Sequence, residues 1–451
     1  KSKDYIYINI DSTDENEIRL IDTNEPFKTP LIFLERSENH LYYLDHIEDD
    51  KFFVLSNHSS PNFQVLKSDT STKNIKDMSV VIPHNDSVFI NKIYTINNSL
   101  ILEVRKNGLP EITIFNLITG SQSDISFEDH AYDVSLSLNG EKENLKFNYS
   151  YSSLTCPESI YSYDLDKKKS NLLWQKNIVG FEKADYKDKR LFVEVRDGTK
   201  VPVILLSKVD IDINNAPILF YGYGSYGINI DATFRSSILP LIDRGFVFAI
   251  INIRGGGEMG KQGYEEGRLL NKMNTFNDFN DVIKSVLNQN IGDSSKVFAR
   301  GGSAGGLLMG AIINLEPSLY KGILSGVPFV DVLTTMSDPT IPLTTFEYGE
   351  WGNPANINEY NYIKEYSPYD NIGNYNYPAV FVTSSLYDSQ VQYFEPAKYI
   401  AKLREYNQSN NNIIMKMNLI GGHGGLSGRL NQFKEISEEY SFILNLAEED
   451  N

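Results

Sequence analysis

Short runs of alternating apolar and polar residues fill the chain from its start to about residue 175: "HLYYLDHI", "KFFVLSNH", "FQVLKSDT", "SLILEVRKNGLPEITIFNLITG" and "ESIYSYDLDKKKSNLLW", separated by Asn, Asp, Gly and Ser. Successive strand side chains point to opposite faces, so this alternation, broken by closely spaced turn residues, predicts consecutive antiparallel strands. Helical periodicity is almost absent there. Units such as "ITIFNLITGSQ" and "SIYSYDLDKKK" recur at loosely similar spacing, as the blades of a β-propeller do. At about 40 to 50 residues per blade, this half holds about four. A β-sandwich is the competing all-β reading.

Beyond about residue 195 buried strands alternate with helical segments: "APILFYGY", "GFVFAIINIR", "DFNDVIKSVLNQN", "KVFARGG", "LLMGAIINL", "GILSGV", "AVFVTSS", "EPAKYIAKLREY" and "IIMKMNLIGG". Continuous apolar strands separated by amphipathic helices predict a mostly parallel, doubly wound sheet covered on both faces. Sites on such sheets lie at the carboxyl ends of the strands. The expected division is residues 1–177 for the blades and 178–451 for the α/β domain.

A chain of 451 residues exceeds the size at which one core stops growing, which agrees with two domains. Hydrophobic content of 41% and charged content of 22% are globular, and no stretch offers the roughly 18 uninterrupted apolar residues of a membrane helix. A net charge of −17 argues against a nucleic-acid partner, which calls for a basic face, and favours cationic ligands. The single cysteine, Cys156, reads as an inert, semi-buried thiol and fits a reducing compartment, so a cytoplasmic location is expected. The opening "KSKDYIYINI" carries neither an initiator methionine nor a charged-then-apolar leader, which predicts a trimmed leader or an absent beginning.

The candidate chemistry starts at "RGGSAGGLLMG", residues 300–310. Strand-like "KVFA" precedes it and an apolar helix stopped by Pro317 follows, which puts Ser303 at a sharp corner. Gly301, Ser303 and Gly305 satisfy the G-x-S-x-G nucleophile elbow, where the turn lifts a serine hydroxyl above the sheet; a glycine-rich helix N-cap is the plainer alternative. Such a serine needs a base. His40, His46, His58, His84 and His130 all belong to the β-rich half, leaving His423 in the glycine-flanked loop "LIGGHGGLSGR". The order Ser, acid, His of this architecture points to Asp388, which follows the strand "AVFVTSS"; Asp370 is the rival but precedes that strand. Oxyanion donors are expected from the Ala304 backbone N–H and from "YGYGSYG", residues 221–227. Gly255, Gly257 and Gly260 in "RGGGEMG", with Asp278 downstream, also match a dinucleotide fingerprint, but "KQGYEEGRLL" makes a poor tight first helix for that motif. No histidine pair has the i, i+4 spacing of a zinc helix, so no metal is expected.

With this triad in place, the α/β half closely resembles the prolyl oligopeptidase family of serine peptidases, in particular its oligopeptidase B branch. The resemblance is carried by "LFYGYGSYG", "NIRGGGEMG", "NTFNDF", "GGSAGGLLMGAIIN", "GVPFVDVLTTMSDPTIPLTT", "EWGNP", "YSPYDN", "VQYFEPAKYIAKLR" and "GGHGG". It implies an α/β-hydrolase domain capped by a seven-bladed propeller that admits only short peptides, with no cofactor. Only the later blades are recognisable here, so the chain is expected to be a fragment or one piece of a cleaved protein, in the latter case with a companion chain supplying the other blades. The resemblance assigns Tyr223 to the oxyanion hole, Tyr226 and Phe329 to the walls of the first specificity pocket, and Glu347 to the selection of Lys or Arg. Asp231 keeps one residue of a second acidic pair, while Gly349 and Thr233 stand where further acidic residues are common. Arg254 and Glu258 receive no chemistry. The implied activity is an endopeptidase cutting short basic peptides after Arg or Lys. A prolyl- or acyl-aminoacyl-type peptidase, an esterase and a binding protein with a vestigial triad are the alternatives.

Overall fold

The structure, a computed structural model, describes residues 2–137 and 145–448. Up to Gln175 it is built from antiparallel sheets in chain order: a three-stranded sheet over residues 5–32, then four-stranded sheets over 42–82, 88–124 and 132–175. Alternation along single strands decides how they stack. In Lys51–Ser56, Phe52 and Val54 pack with Ile18, Leu20 and Phe33 of the first sheet, whereas Phe53 and Leu55 pack with Ile90, Leu100 and Leu102 of the third. The third and fourth sheets meet in the same way through Ile101, Ile112, Val134 and Tyr149. An inner sheet buried on both faces by its neighbours is a propeller blade, not half of a sandwich.

Eight strands form one mixed sheet: β1 (Tyr186–Glu194), β2 (Lys200–Lys208), β3 (Ile218–Tyr221), β4 (Val247–Ile251), β5 (Val297–Gly302), β6 (Gly322–Gly326), β7 (Ala379–Ser385) and β8 (Ile413–Asn418). Their spatial order is β1-β2-β4-β3-β5-β6-β7-β8. The pairings of β1 with β2 and β2 with β4 are antiparallel, and those from β4 onward are parallel. The reversal edge, β1 and β2, was not among the predicted strands. Continuous apolar runs arise because both faces are covered. Ile218 and Phe220 face a core closed by helices α1 (Met273–Asn288) and α2 (Ala304–Leu315), and Leu219 faces one closed by α4 (Arg429–Glu448). Helix α3 (Phe394–Tyr406) lies between β7 and β8 in the chain and packs on both. Among the described residues no helix is long and apolar enough to cross a membrane.

The blades meet the α/β domain through ion pairs. Asp14 bridges Lys261 at 2.9 Å and Arg268 at 3.1 Å, and Arg105 bonds Asp231 at 2.5 Å. Cys156 is buried in the fourth sheet, where desolvation raises its thiol pKa, as an inert thiol requires.

Candidate active site

Ser303 joins β5 to α2 with φ +58° and ψ −119°, a conformation that non-glycine residues rarely adopt. The turn is held by the Ser303 N–H donating to the Gly326 carbonyl at 2.8 Å and by the Phe329 N–H donating to the Ser303 carbonyl at 3.1 Å. A Cβ at Gly301 would stand 2.2 Å from the Gly305 carbonyl oxygen, so the strand and helix approach this closely only with glycine between them. This is the strained elbow that the spacing predicts. The Ala304 N–H, at the start of α2, donates to no group among the described residues.

Asp388 lies just beyond β7 and His423 just beyond β8, on the same edge of the sheet. The His423 Nδ1 is 2.8 Å from Asp388 Oδ2 and 3.0 Å from Oδ1. Oδ1 also accepts the N–H groups of Gln390 and Val391, each at 2.9 Å. Burial alone would raise the Asp388 pKa, but His423 and these amides outweigh it and hold the carboxyl below its usual range. The rival Asp370 is exposed in the turn after residues 357–366 and bonds locally to Ser367. Among the described residues His423 and the Ser303 hydroxyl share no hydrogen bond. They line different hollows, Ser303 one of about 220 Å³ and His423 one of about 270 Å³. Bonds of this kind are commonly long before a substrate tightens them.

Tyr223, Tyr226, Phe329 and Glu347 line the Ser303 cavity. Burial pushes the Tyr223 phenol up to about 12, with the neighbouring Ser303 working against the rise. The Tyr226 hydroxyl donates to Glu347 Oε2 at 2.8 Å, and the same oxygen accepts the indole N–H of Trp351 at 2.7 Å. Glu347 Oε1 accepts no hydrogen bond from the described residues. The Trp351 ring also packs on Tyr226 and Phe329, at centroid distances of 5.5 and 5.3 Å. Tyr226 has φ +60°, and its N–H is held at 2.8 Å by Oε1 of the buried Glu350. Glu350 Oε2 takes the Tyr264 hydroxyl at 2.7 Å.

Asp231 is not brought to this cavity: its carboxylate is spent on Arg105, from the third blade. Arg254 is locked to the core carboxylate Asp278, Nη2 to Oδ1 at 2.6 Å, and to Asp197 at 2.7 Å. Glu258 is buried, accepting the Ile230 N–H at 2.7 Å and the Asn252 side chain at 2.9 Å. The glycines of "RGGGEMG" serve packing rather than a phosphate. A Cβ at Gly255 would stand 2.1 Å from the Gly224 carbonyl oxygen, so this loop can lie against "YGYGSYG" only without side chains. A six-residue helix, Gly260–Glu265, does form after it, against expectation, but the acidic partner of the fingerprint, Asp278, is consumed by Arg254. Trp351 and Glu350 were not singled out from the sequence. Trp351 has a signal in its i, i+4 spacing from Glu347, which matters only once residues 348–351 are known to form a helical turn, whereas the partners of Glu350, Tyr226 and Tyr264, are distant in sequence.

Residues 232–450 match the sequence model of the prolyl oligopeptidase family, and residues 1–176 match that of the prolyl oligopeptidase N-terminal β-propeller domain. Dipeptidyl aminopeptidase BI of Pseudoxanthomonas mexicana is 40% identical over 98% of this chain and 61% of its own length. Protease 2 of Moraxella lacunata is 38% identical over 99% of this chain and 64% of its own. The chain therefore spans somewhat under two thirds of these relatives. Oligopeptidase B from Leishmania major superposes with a TM-score of 0.93 at 33% identity, covering 98% of this chain and 64% of that one. Oligopeptidase B from Trypanosoma brucei, with covalently bound antipain in a closed form, gives 0.92 at the same identity and coverage.

Proposed function

The chain belongs to the prolyl oligopeptidase family, and from that premise we propose that it is the catalytic part of a serine endopeptidase that cleaves short peptides after Arg or Lys through an acyl-enzyme. Ser303 Oγ attacks the scissile carbonyl while Nε2 of His423 takes its proton, and the same imidazolium then protonates the leaving amine. Asp388 fixes the ring through Nδ1 and stabilises its charge. His423 must first reach Ser303, which the glycines on either side of it in the loop permit. The Tyr223 hydroxyl and the Ala304 N–H receive the developing oxyanion. A water then repeats the sequence on the acyl-enzyme with His423 as base.

The observation that carries this reading is that Ser303 and Glu347 line one cavity walled by aromatic rings, with Glu347 Oε1 uncommitted. A guanidinium or ammonium entering that cavity meets a carboxylate that is already oriented and still has an acceptor to offer. A relative's name, dipeptidyl aminopeptidase BI, supports a second reading in which the enzyme removes dipeptides from a free amino terminus. Short arginyl, prolyl and ester reporters, each with a free or a blocked amino terminus, separate the two. Endopeptidase action predicts at least comparable kcat/KM on the blocked arginyl reporter. A strict requirement for the free amine would replace it with the dipeptidyl reading, and a preference for prolyl reporters would sink the role of Glu347.

The partner blades belong to the same proposal. Ile6, Ile8 and Ile10 on the first sheet are 52%, 38% and 39% exposed, and Leu172 and Trp174 on the last are 52% and 48% exposed. Apolar strips of this kind on the outermost sheets suit further β-sheets from a companion chain. Native mass measurement on protein purified from its source is expected to show a mass above 51.2 kDa. A lone monomer of that mass, active and stable, would remove the companion.

A further inference from the structure

Behind the cavity lies a cation that the proposed reaction does not use. Lys272, the residue before α1, is 1% exposed. Its Nζ donates to the Gly224 carbonyl at 2.6 Å, to Ser225 Oγ at 2.8 Å and to the Gly267 carbonyl at 3.1 Å. An ammonium has three donors, and here each has an acceptor. None of the three is a carboxylate. Two aromatic rings lie close by, with the Trp351 and Phe276 ring centres 5.0 and 6.0 Å away. Burial pulls its pKa down to about 8, the charge of Glu350 working the other way.

A cation held this way is a costly choice, because removing an ammonium from water carries a desolvation penalty that its new bonds must recover. An apolar side chain would avoid that penalty but would leave the Gly224 carbonyl and the Ser225 hydroxyl without this donor, so the lysine matters through the particular groups it joins. What the three bonds join is more specific. Gly224 and Ser225 lie between Tyr223 and Tyr226, in a turn where Gly224, Tyr226 and Gly227 have φ of +71°, +60° and +61°. The glycines adopt such angles freely, but at Tyr226 the conformation persists only when its surroundings over-determine it. Gly267 follows the loop whose Gly255 packs on Gly224. The start of α1, rooted in the core by Phe276, Phe279 and Val282, thus holds both loops through one ammonium.

We propose that Lys272 is a positioning residue: through Gly224 and Ser225 it sets where the Tyr223 hydroxyl stands relative to Ser303, without touching the substrate. The proposal rests on the reading of Tyr223 as an oxyanion donor. The test is a double-mutant cycle on a blocked arginyl amide, comparing the native chain, Lys272→Met, Tyr223→Phe and the double variant, with the thermal midpoint of each recorded. Tyr223→Phe is expected to lower kcat about 10²-fold, the typical effect of one lost oxyanion donor. Lys272→Met is expected to lower kcat about 10-fold with KM within about threefold, and the double variant to stay within about threefold of Tyr223→Phe alone, because groups acting through one another do not add. Ser225→Ala removes one acceptor and should lower kcat in the same direction by less; it is the variant to read if Lys272→Met does not fold. An unchanged kcat in the variant read, or effects of Lys272→Met and Tyr223→Phe that multiply in full, overturns the positioning role. An unchanged kcat in Tyr223→Phe alone instead overturns the oxyanion reading, and the route assigned to Lys272 with it.

Discussion

Ser303→Ala is expected to abolish turnover of every reporter, lowering kcat by about 10⁶-fold, the scale seen when a triad nucleophile is removed. The size follows from the division of labour at the elbow. Without the hydroxyl no acyl-enzyme forms, so neither the His423–Asp388 pair nor the oxyanion donors have a reaction to assist. What remains is binding and the oxyanion hole acting on water. The substitution removes one oxygen from a partly exposed position whose backbone is held by Gly326 and Phe329. Folding should therefore be nearly unaffected, and binding of an arginyl product or inhibitor should persist. A serine-directed phosphonate should add its mass to the native chain at Ser303 and not to the variant. Residual kcat within tenfold of the native value, or labelling elsewhere, would show that a different group carries the chemistry.

Glu347→Gln is expected to lower kcat/KM on arginyl reporters by about 10²-fold, from the loss of one to two charge-assisted hydrogen bonds at about 1.5–3 kcal/mol each. Neutral reporters should change by less than about threefold, since the role proposed for Glu347 is to bind the cationic side chain and not to act on the scissile bond. The geometry sharpens the expectation. Tyr226 and Trp351 both donate to one carboxylate oxygen, so an amide placed there turns its carbonyl toward them and its NH₂ toward the substrate. A guanidinium then meets a donor instead of an acceptor. Selectivity for Arg over neutral residues should collapse while the triad stays intact, which separates this variant from Ser303→Ala. If arginyl peptides were cleaved by Glu347→Gln as well as by the native chain, the cation would have to be bound elsewhere.

Much of this site was legible because its parts are local patterns. The elbow is a contiguous string whose glycines are required by a contact four residues long, Gly301 against Gly305. His423 could be picked out because the α/β half holds no other histidine, and Asp388 because it directly follows an apolar strand. Both blades and doubly wound sheet were readable from periodicity, since a strand's two faces are written in alternate residues.

What the linear order could not decide is what each charge meets. Asp231 and Glu347 are alike as carboxylates in the sequence; one is tied to an arginine 126 residues away and the other lines the Ser303 cavity. Lys272 looks like an ordinary solvated lysine ahead of an amphipathic helix, and only the fold buries it against Gly224 and Ser225. The glycine string of residues 255–260 carries a phosphate-binding spacing, yet tertiary packing of two loops accounts for it. Periodicity and turn chemistry act between neighbours along the chain and so are fixed by sequence alone. Partner choice among charges depends on distances across the fold, where burial makes each pairing decisive and leaves no local trace.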